Sequence, residues 1–132
     1  KEVPINDFGR TLSGSRGTFI NVQRLPLEGE VEMLNIALGR PAANFCSFND
    51  DLEAMLALMD ILDEYIGVSN TNMHLRACLS KPAKVLVTYP AEYRWMAGGI
   101  SPWFPEFRLY RQSCTGSWKA AFKDLSKDLA IS

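Results

Sequence analysis

Hydrophobic positions along the chain recur with two periods, one typical of strands and one typical of helices. Residues 65–68 and 84–88 form short apolar runs of the kind that is buried on both faces of a parallel sheet. A polar turn, 69–72, follows the first run and opens a helix that ends near Leu79. The pattern predicts, in chain order, a helix from Asn6 or Asp7 to Leu12, a strand at 18–22, a helix at 28–38, a strand at 43–48, a helix at 52–62, the strand 65–68, the helix 72–79, the strand 84–88, a long loop at 89–106, a strand at 107–111 and a helix at 116–129.

This order of elements predicts an α/β fold. Strands that alternate with helices form right-handed crossovers, which produce a mostly parallel sheet with helices on both faces. We therefore expect a three-layer α/β/α, Rossmann-like arrangement in which strands 65–68 and 84–88 are adjacent and central. Residues 1–132 are expected to form a single domain, with 1–17 as a lead-in and short helix and 18–132 as the core. Because the first residue is Lys1 and not Met, we expect the chain to be a fragment of a longer one.

Composition limits the classes of function. The chain has 132 residues, a hydrophobic content of 47% and a net charge of −1, which is ordinary for a soluble protein and gives no broad attraction to nucleic acid or to an anionic membrane. No apolar run is long enough to cross a bilayer, and no segment has the order of a secretory signal. Cys46, Cys78 and Cys114 match neither a metal site nor a disulfide framework, which predicts reduced, mostly buried thiols in a cytoplasmic protein.

The polar turn between the two apolar runs is the first candidate binding site. Its Ser, Asn and Thr side chains can cap the helix that follows, and a helix N-terminus carries the partial positive charge that attracts an anion, usually a phosphate. The only histidine of the chain lies in the first turn of this helix. The candidate phosphate-binding or nucleotide-binding residues are Ser69, Asn70, Thr71, Asn72 and His74. On its own, such a turn more often caps a helix and binds nothing.

Other polar residues are expected at the same edge, because parallel sheets bind ligands outside the carboxyl ends of their strands. The candidates for lining the site are Gln23, Thr88, Tyr89, Tyr93 and Arg94. Gln23 could equally cap a loop, and the aromatic residues of the 89–106 loop could stack a ring or simply anchor the loop; anchoring is favoured for Trp103 and Phe104. The acidic pairs 50–51 and 63–64 flank a helix at its two ends, which favours capping and solvation, so no metal site is predicted.

Two segments resemble one family. GVSNTNMHLRACLSKPAKVLV, followed by EYRWMAGGISPWFPEFRLYRQ, is similar to the C-terminal half of heptosyltransferase-like glycosyltransferases (family nine), most of all to bacterial proteins in which such a half follows tetratricopeptide repeats. The resemblance rests on Ser69-Asn70-Thr71 with His74, on Arg94-Trp95, and on the runs 101–105 and 108–112; the strand followed by Gln23 matches a further feature.

The resemblance implies a GT-B arrangement, in which two Rossmann-like halves face each other and the C-terminal half holds a nucleotide-sugar donor. The diphosphate would rest on the helix N-terminus at 69–71, with His74 donating to a phosphate oxygen, and the loop after Thr88 would border the nucleoside or the sugar. The donor is then a substrate, and no cofactor is implied, because the helix dipole and side chains supply the electrostatic stabilisation. The acceptor-activating base normally comes from the other half.

Two functions follow from the residues and the resemblance together. One is a nucleotide-sugar-binding half of a glycosyltransferase, which His74 and the capped turn favour. The alternative is a non-catalytic Rossmann-like interaction module beside tetratricopeptide repeats. It is favoured by Ser69-Asn70, which replaces the Asp-Thr of the enzymes, and by the absence of a partner half. The expected partners are a nucleoside diphosphate or nucleotide-sugar, a protein acceptor or repeat region, and a second copy of the chain if a missing first strand leaves a sheet edge unpaired.

Overall fold

The computed structural model describes residues 3–131 and has an α/β architecture with small parallel sheets. The α-helices are α1 (Ile5–Ser13), α2 (Glu30–Leu38), α3 (Leu52–Ile61), α4 (Thr71–Cys78) and α5 (Lys119–Ile131). The strands are β1 (Ile20–Asn21), β2 (Ala43–Asn44), β3 (Ile66–Val68), β4 (Lys84–Val87) and β5 (Arg108–Arg111), and 3₁₀ turns lie at Cys46–Asp50 and Tyr93–Trp95. The α/β class predicted from the sequence is therefore confirmed.

The chain divides into two compact units. Among the described residues, the first unit comprises 53–121 and contains β3, β4 and β5. The second comprises 3–52 with 122–131 and contains β1 and β2. We call them the three-stranded unit and the two-stranded unit.

The sheet of the three-stranded unit has the order β3-β4-β5, and both ladders are parallel. The predicted pairing of 65–68 with 84–88 is confirmed, with Val68 opposite Leu86. The central position is confirmed only for β4, whose residues 85–87 are all buried. Strand β3 lies at the edge of this sheet, against the prediction. It is short and its residues are only half-buried, so its apolar character does not require a neighbour on both sides.

The two-stranded unit is built around a close helix pair. Helix α1 meets α2 at Gly9, where a Cβ atom would lie only 2.5 Å from the Cβ of Ala37. Strands β1 and β2 pair in parallel, with Ile20 opposite Ala43. The core of the unit consists of apolar side chains from its helices: Leu12, Leu34, Leu38, Phe122, Leu125 and Leu129.

The prediction of a strand at 43–48 is wrong beyond Asn44. Strand β2 ends at Asn44, and a 3₁₀ turn follows from Cys46. The Asn44 side chain accepts a hydrogen bond from Cys46 N at 3.1 Å, and the Asn49 side chain bonds to backbone carbonyls. Such local bonds between side chains and backbone compete with strand pairing, which explains why a run of apolar residues does not extend the ladder.

The cysteines depart from the sequence prediction. The prediction of mostly buried cysteines is wrong, because Cys78 and Cys114 are exposed and only Cys46 is half-buried. Within residues 3–131, no helix has both the length and the apolar character needed to span a membrane. Across the same residues, no group of three His, Cys, Asp or Glu side chains is placed to hold a metal ion.

Candidate functional site

The predicted cap of α4 is present. Asn70 is the N-cap residue, and its Oδ1 accepts hydrogen bonds from Met73 N at 3.3 Å and from the Tyr65 hydroxyl at 3.2 Å. The Tyr65 side chain reaches this position by lying along β3 over Gly67. A Cβ atom on Gly67 would come within 2.6 Å of the Tyr65 hydroxyl oxygen. Burial raises the pKa of Tyr65 to about 12, although the bond to Asn70 opposes the shift. The side-chain oxygen of Asn70 is therefore engaged inside the protein.

A small cavity of about 10 Å³, with room for about one water molecule, lies at the carboxyl ends of β3 and β4. We call it the edge cavity, and its lining residues are Val68, Ser69, Leu86, Val87, Thr88, Glu92 and Trp95. Parallel strands place the residues that follow them at one edge of the sheet, which brings Ser69 after β3 and Thr88 after β4 to the same cavity. Two of the sequence-predicted candidates thus meet where the topology places ligands.

The charge at the edge cavity comes from a residue that sequence reasoning did not select. Glu92 Oε2 accepts a hydrogen bond from Ser69 Oγ at 3.2 Å and lies 3.0 Å from Arg94 Nη1. The guanidinium of Arg94 also lies over the ring of Tyr93, 5.0 Å from its centroid. The sequence does contain a signal for Glu92. It is an acidic residue shortly before an Arg, in the loop that follows a buried strand.

The remaining residues of the predicted turn do not line the edge cavity. Thr71 is exposed, whereas Asn72 is only 1% exposed and therefore lies inside the unit. His74 is half-buried, and its ring meets that of Phe104 edge-on with 5.5 Å between centroids. Phe104 stacks in turn on Phe107 at 5.1 Å, so His74 borders an aromatic cluster.

Hydrogen bonds hold the long loop after β4 in place. The buried hydroxyl of Ser101 donates to Arg94 O at 2.6 Å and accepts from the backbone N–H groups of Trp103 and Phe104 at 3.3 Å each. The guanidinium of Arg111 donates to the carbonyl groups of Trp95, Met96 and Gly99. The loop is therefore ordered by its own polar groups as well as by its aromatic rings.

The aromatic residues of this loop divide into anchors and exposed rings. Phe104 packs against Trp95 with 5.4 Å between centroids, which confirms its role as an anchor. Trp103 was expected to be a second anchor, but it is 53% exposed. Its ring meets that of Tyr93, 69% exposed, edge-on at 5.6 Å. Tyr89 is exposed too, and its backbone N–H donates to the side-chain oxygen of Gln112 at 2.9 Å.

Gln23 belongs to the two-stranded unit, where it caps a loop. Its Oε1 accepts from Asn21 Nδ2 at 3.0 Å, its Nε2 donates to Glu30 Oε2 at 3.2 Å, and its backbone N–H donates to Asn21 Oδ1 at 3.0 Å. Both ends of the amide are thus engaged within the unit. Of the two roles left open by the sequence, this geometry is that of a loop cap.

Arg76 has a structural role beneath the site. It is 1% exposed, and its guanidinium donates to the carbonyl oxygens of Met59, Leu62, Asp63 and Pro82. Three of these carbonyls lie at or just beyond the C-terminal end of α3, where backbone acceptors lack helical partners. Burial lowers the pKa of Arg76, and the nearby carboxylates of Asp60, Asp63 and Glu64 oppose that shift.

Comparison with protein-family models, with curated proteins and with solved structures gives no match to this chain. The edge cavity is bordered by hydroxyl groups, one carboxylate and the buried indole of Trp95, with a guanidinium beside them. Its volume admits about one water molecule, so a larger ligand would bind on the surface beside Ser69, Thr88 and Glu92.

Proposed function

We propose that the three-stranded unit binds a nucleotide-sugar donor at the sheet edge formed by the carboxyl ends of β3 and β4. The chain would then be the donor-binding, C-terminal half of a GT-B glycosyltransferase of the heptosyltransferase-like class. The observation that carries the proposal is the position of Ser69, Thr88 and Glu92 at the carboxyl ends of two adjacent parallel strands.

The proposed pose follows from the chemistry of the lining. Hydroxyl groups of the sugar would donate to the Glu92 carboxylate, which is only partly buried. The diphosphate would then lie towards Arg94 and the first N–H groups of α4, which favour negative charge. His74 would serve as a further donor only if its ring turned away from Phe104.

Binding, rather than transfer, is the proposed activity of this chain. Stabilisation of a diphosphate leaving group is one part of glycosyl transfer, and activation of the acceptor is another. In the proposed GT-B arrangement the acceptor-activating base belongs to the other half. A cytoplasmic, repeat-containing bacterial protein is the setting that the resemblance implies, and it is part of this proposal.

Isothermal titration with UDP-, GDP- and ADP-glucose tests the proposal. Glu92→Gln keeps the shape of the side chain and removes its charge, so it should weaken donor binding about ten-fold, as expected for one charged hydrogen bond. Glu64→Gln is the matched control, because Glu64 pairs with Lys84 at the start of β4. Equal weakening by both variants, or failure of the native protein to bind any of the three donors, would refute the proposal. His74→Ala measures whether the histidine takes part.

A second function is favoured by a different observation. In the two-stranded unit Leu25 is 90% exposed and Ile36 is 81% exposed, and Met33 lies one helical turn before Ile36 on the same face of α2. Met33 and Ile36 are therefore neighbouring exposed apolar side chains on one helix face, and contiguous exposed apolar patches mark surfaces that contact another protein. We propose an interaction module as the alternative function. Sedimentation of the native protein and of Ile36→Asp would show whether this face supports self-association, with Ile61→Asp, at another exposed apolar position, as the control.

A further inference from the structure

We infer that the exposed face of α2 binds the exposed face of α5 in a second copy of this chain. This inference rests on the alternative function, the interaction module, and adds the partner and the surface that it uses. The α2 face consists of Glu32, Met33 and Ile36, and the α5 face is centred on Lys123 and Lys127. All five side chains are exposed. We call the two surfaces the acidic face and the basic face.

The acidic face combines apolar side chains with charge of one sign. Ile36 is 81% exposed and Met33 is 43% exposed, and Glu32 lies one helical turn before Ile36. Glu28, also exposed, lies just before the N-cap residue Gly29. Helix α2 contains no Lys or Arg, so another α2 helix would bring only further acidic residues to this face. The complement of the acidic face is therefore a helix that presents basic side chains.

Helix α5 presents such a surface. Its core side holds Leu125 and Leu129, and Lys123 and Lys127 lie on the opposite side, one helical turn apart. Lys119 continues the row at the start of the helix. No other helix within residues 3–131 contains a lysine. The face of α5 is thus the helical surface of this chain whose charge complements α2.

The charges of both faces are available to a partner. None of the ion pairs in the part of the chain that the structure describes uses Glu28, Glu32, Lys123 or Lys127. Asp124 follows Lys123 in sequence and therefore points about 100° away from it around the helix. Opposite charges that meet across an interface select the partner and fix the register of the contact.

The basic face also suits the apolar part of the acidic face. Ala130 is exposed on the lysine side of α5, where a small residue lets another helix come close. The aliphatic stems of Lys123 and Lys127 can cover Ile36 while their ammonium groups stay in water. Contact would thus remove apolar surface from water and bring opposite charges together. Because both faces are narrow, we expect a weak and reversible association.

Charge reversal tests the contact by sedimentation velocity. The acidic-face variant carries Glu28→Lys and Glu32→Lys. The basic-face variant carries Lys123→Glu and Lys127→Glu. Each variant alone should self-associate at least about ten-fold more weakly than the native protein, because the two faces then have the same sign. An equimolar mixture of the two variants should associate, because every acidic face again meets a basic one.

The chain with all four substitutions separates specific pairing from a change in overall charge. The two exchanges cancel, so this chain keeps the native net charge of −1, and it should associate like the native protein. Glu53→Lys combined with Glu106→Lys is the matched control, since it reverses two exposed acids outside both faces and should leave association unchanged. Denaturant unfolding of every variant checks that the fold is retained.

Salt gives a second measurement, which needs no substitution. Raising the ionic strength from about 0.1 M to about 1 M shortens the screening length from about 10 Å to about 3 Å. Association of the native protein should weaken over this range. Association that is unchanged by salt would overturn the charge pairing.

The outcomes separate this inference from the alternative function. Self-association that is lost in Ile36→Asp but kept in both charge-reversal variants would overturn the pairing with α5 and leave the interaction module in place. Failure of the chain with all four substitutions to associate, although it is folded, would also overturn the pairing. A native protein that stays monomeric up to about 1 mM would overturn the inference and leave the acidic face to a different protein.

Discussion

The two units carry polar residues at the carboxyl ends of parallel strands, but they use them differently. In the two-stranded unit the residues after β1 and β2 bond within the unit: Gln23 bonds to Asn21 and Glu30, and Asn49 Nδ2 lies 2.8–3.1 Å from three backbone carbonyls. In the three-stranded unit the residues after β3 and β4 line a cavity of about 10 Å³. The side chains at both edges bond to one another, but only the second edge keeps a small cavity, and we call the first the closed edge and the second the open edge.

The contrast shows why polar residues at strand ends are ambiguous in a sequence. Gln23 and Ser69 both follow a strand, and both satisfy the same topological rule for a ligand site. The difference lies in the partners that the rest of the chain provides. The amide of Gln23 has a partner at each end within its own unit, whereas Ser69 and its partner Glu92 lie at the wall of a cavity.

The largest expected effect concerns the scaffold of the open edge. Arg76→Met removes the guanidinium that is bonded to four carbonyl groups and should lower the free energy of unfolding by about 3–5 kcal/mol, the range found when one partner of a buried charged network is removed. Denaturant unfolding measures it. Arg10→Met is the control, since Arg10 forms only an exposed pair with Asp7 and should change stability by less than about 1 kcal/mol. Similar losses of unfolding free energy in both variants would mean that the hydrogen bonds from Arg76 to the four carbonyl groups do not stabilise the fold.

Asn49→Ala tests the closed edge. The substitution leaves the carbonyls of Val22, Gln23 and Cys46 without the amide donor, and each net hydrogen bond is worth about 1 kcal/mol. We expect the free energy of unfolding to fall by about 2–3 kcal/mol, measured by denaturant unfolding. Asn44→Ala, which removes a single exposed bond to Cys46 N, serves as the comparison and should cost less. A loss below about 1 kcal/mol for Asn49→Ala would show that the edge is not held closed by this side chain.

Much of the scaffold was predictable from sequence, and the reason is that it depends on local pattern. The parallel pairing of β3 with β4 follows from two short apolar runs separated by a helix, and the cap at Asn70 follows from residue type at a helix start. The residues that give the open edge its character were not all predictable. Glu92 and Trp95 enter through the 89–106 loop, whose path depends on tertiary bonds from Arg111 and not on any periodicity.

Tyr65→Phe tests the buried hydroxyl group at the cap of α4 through the pH dependence of the free energy of unfolding. Folding raises the pKa of Tyr65 from 10 to about 12, so its contribution to stability is complete below pH 10 and is lost as the pH rises through that interval. Between pH 8 and pH 11 the native protein should lose about 1.4 kcal/mol relative to Tyr65→Phe. Unfolding curves of both proteins across this range measure the difference. Tyr93→Phe, at an exposed ring, is the control and should show no such change.

The smallest expected effect is on the open edge itself. Glu92→Gln removes the charge of a pair whose side chains are 29% and 33% exposed, and pairs of this kind contribute about 0–1 kcal/mol because water already screens them. We therefore expect the free energy of unfolding to change by less than about 1 kcal/mol, well below the effect of Asn49→Ala. The same denaturant measurement, made on both variants in one buffer, gives the comparison. A loss of 2 kcal/mol or more for Glu92→Gln would mean that Glu92 closes its edge as Asn49 closes the other, and the carboxylate would then belong to the scaffold instead of to a ligand.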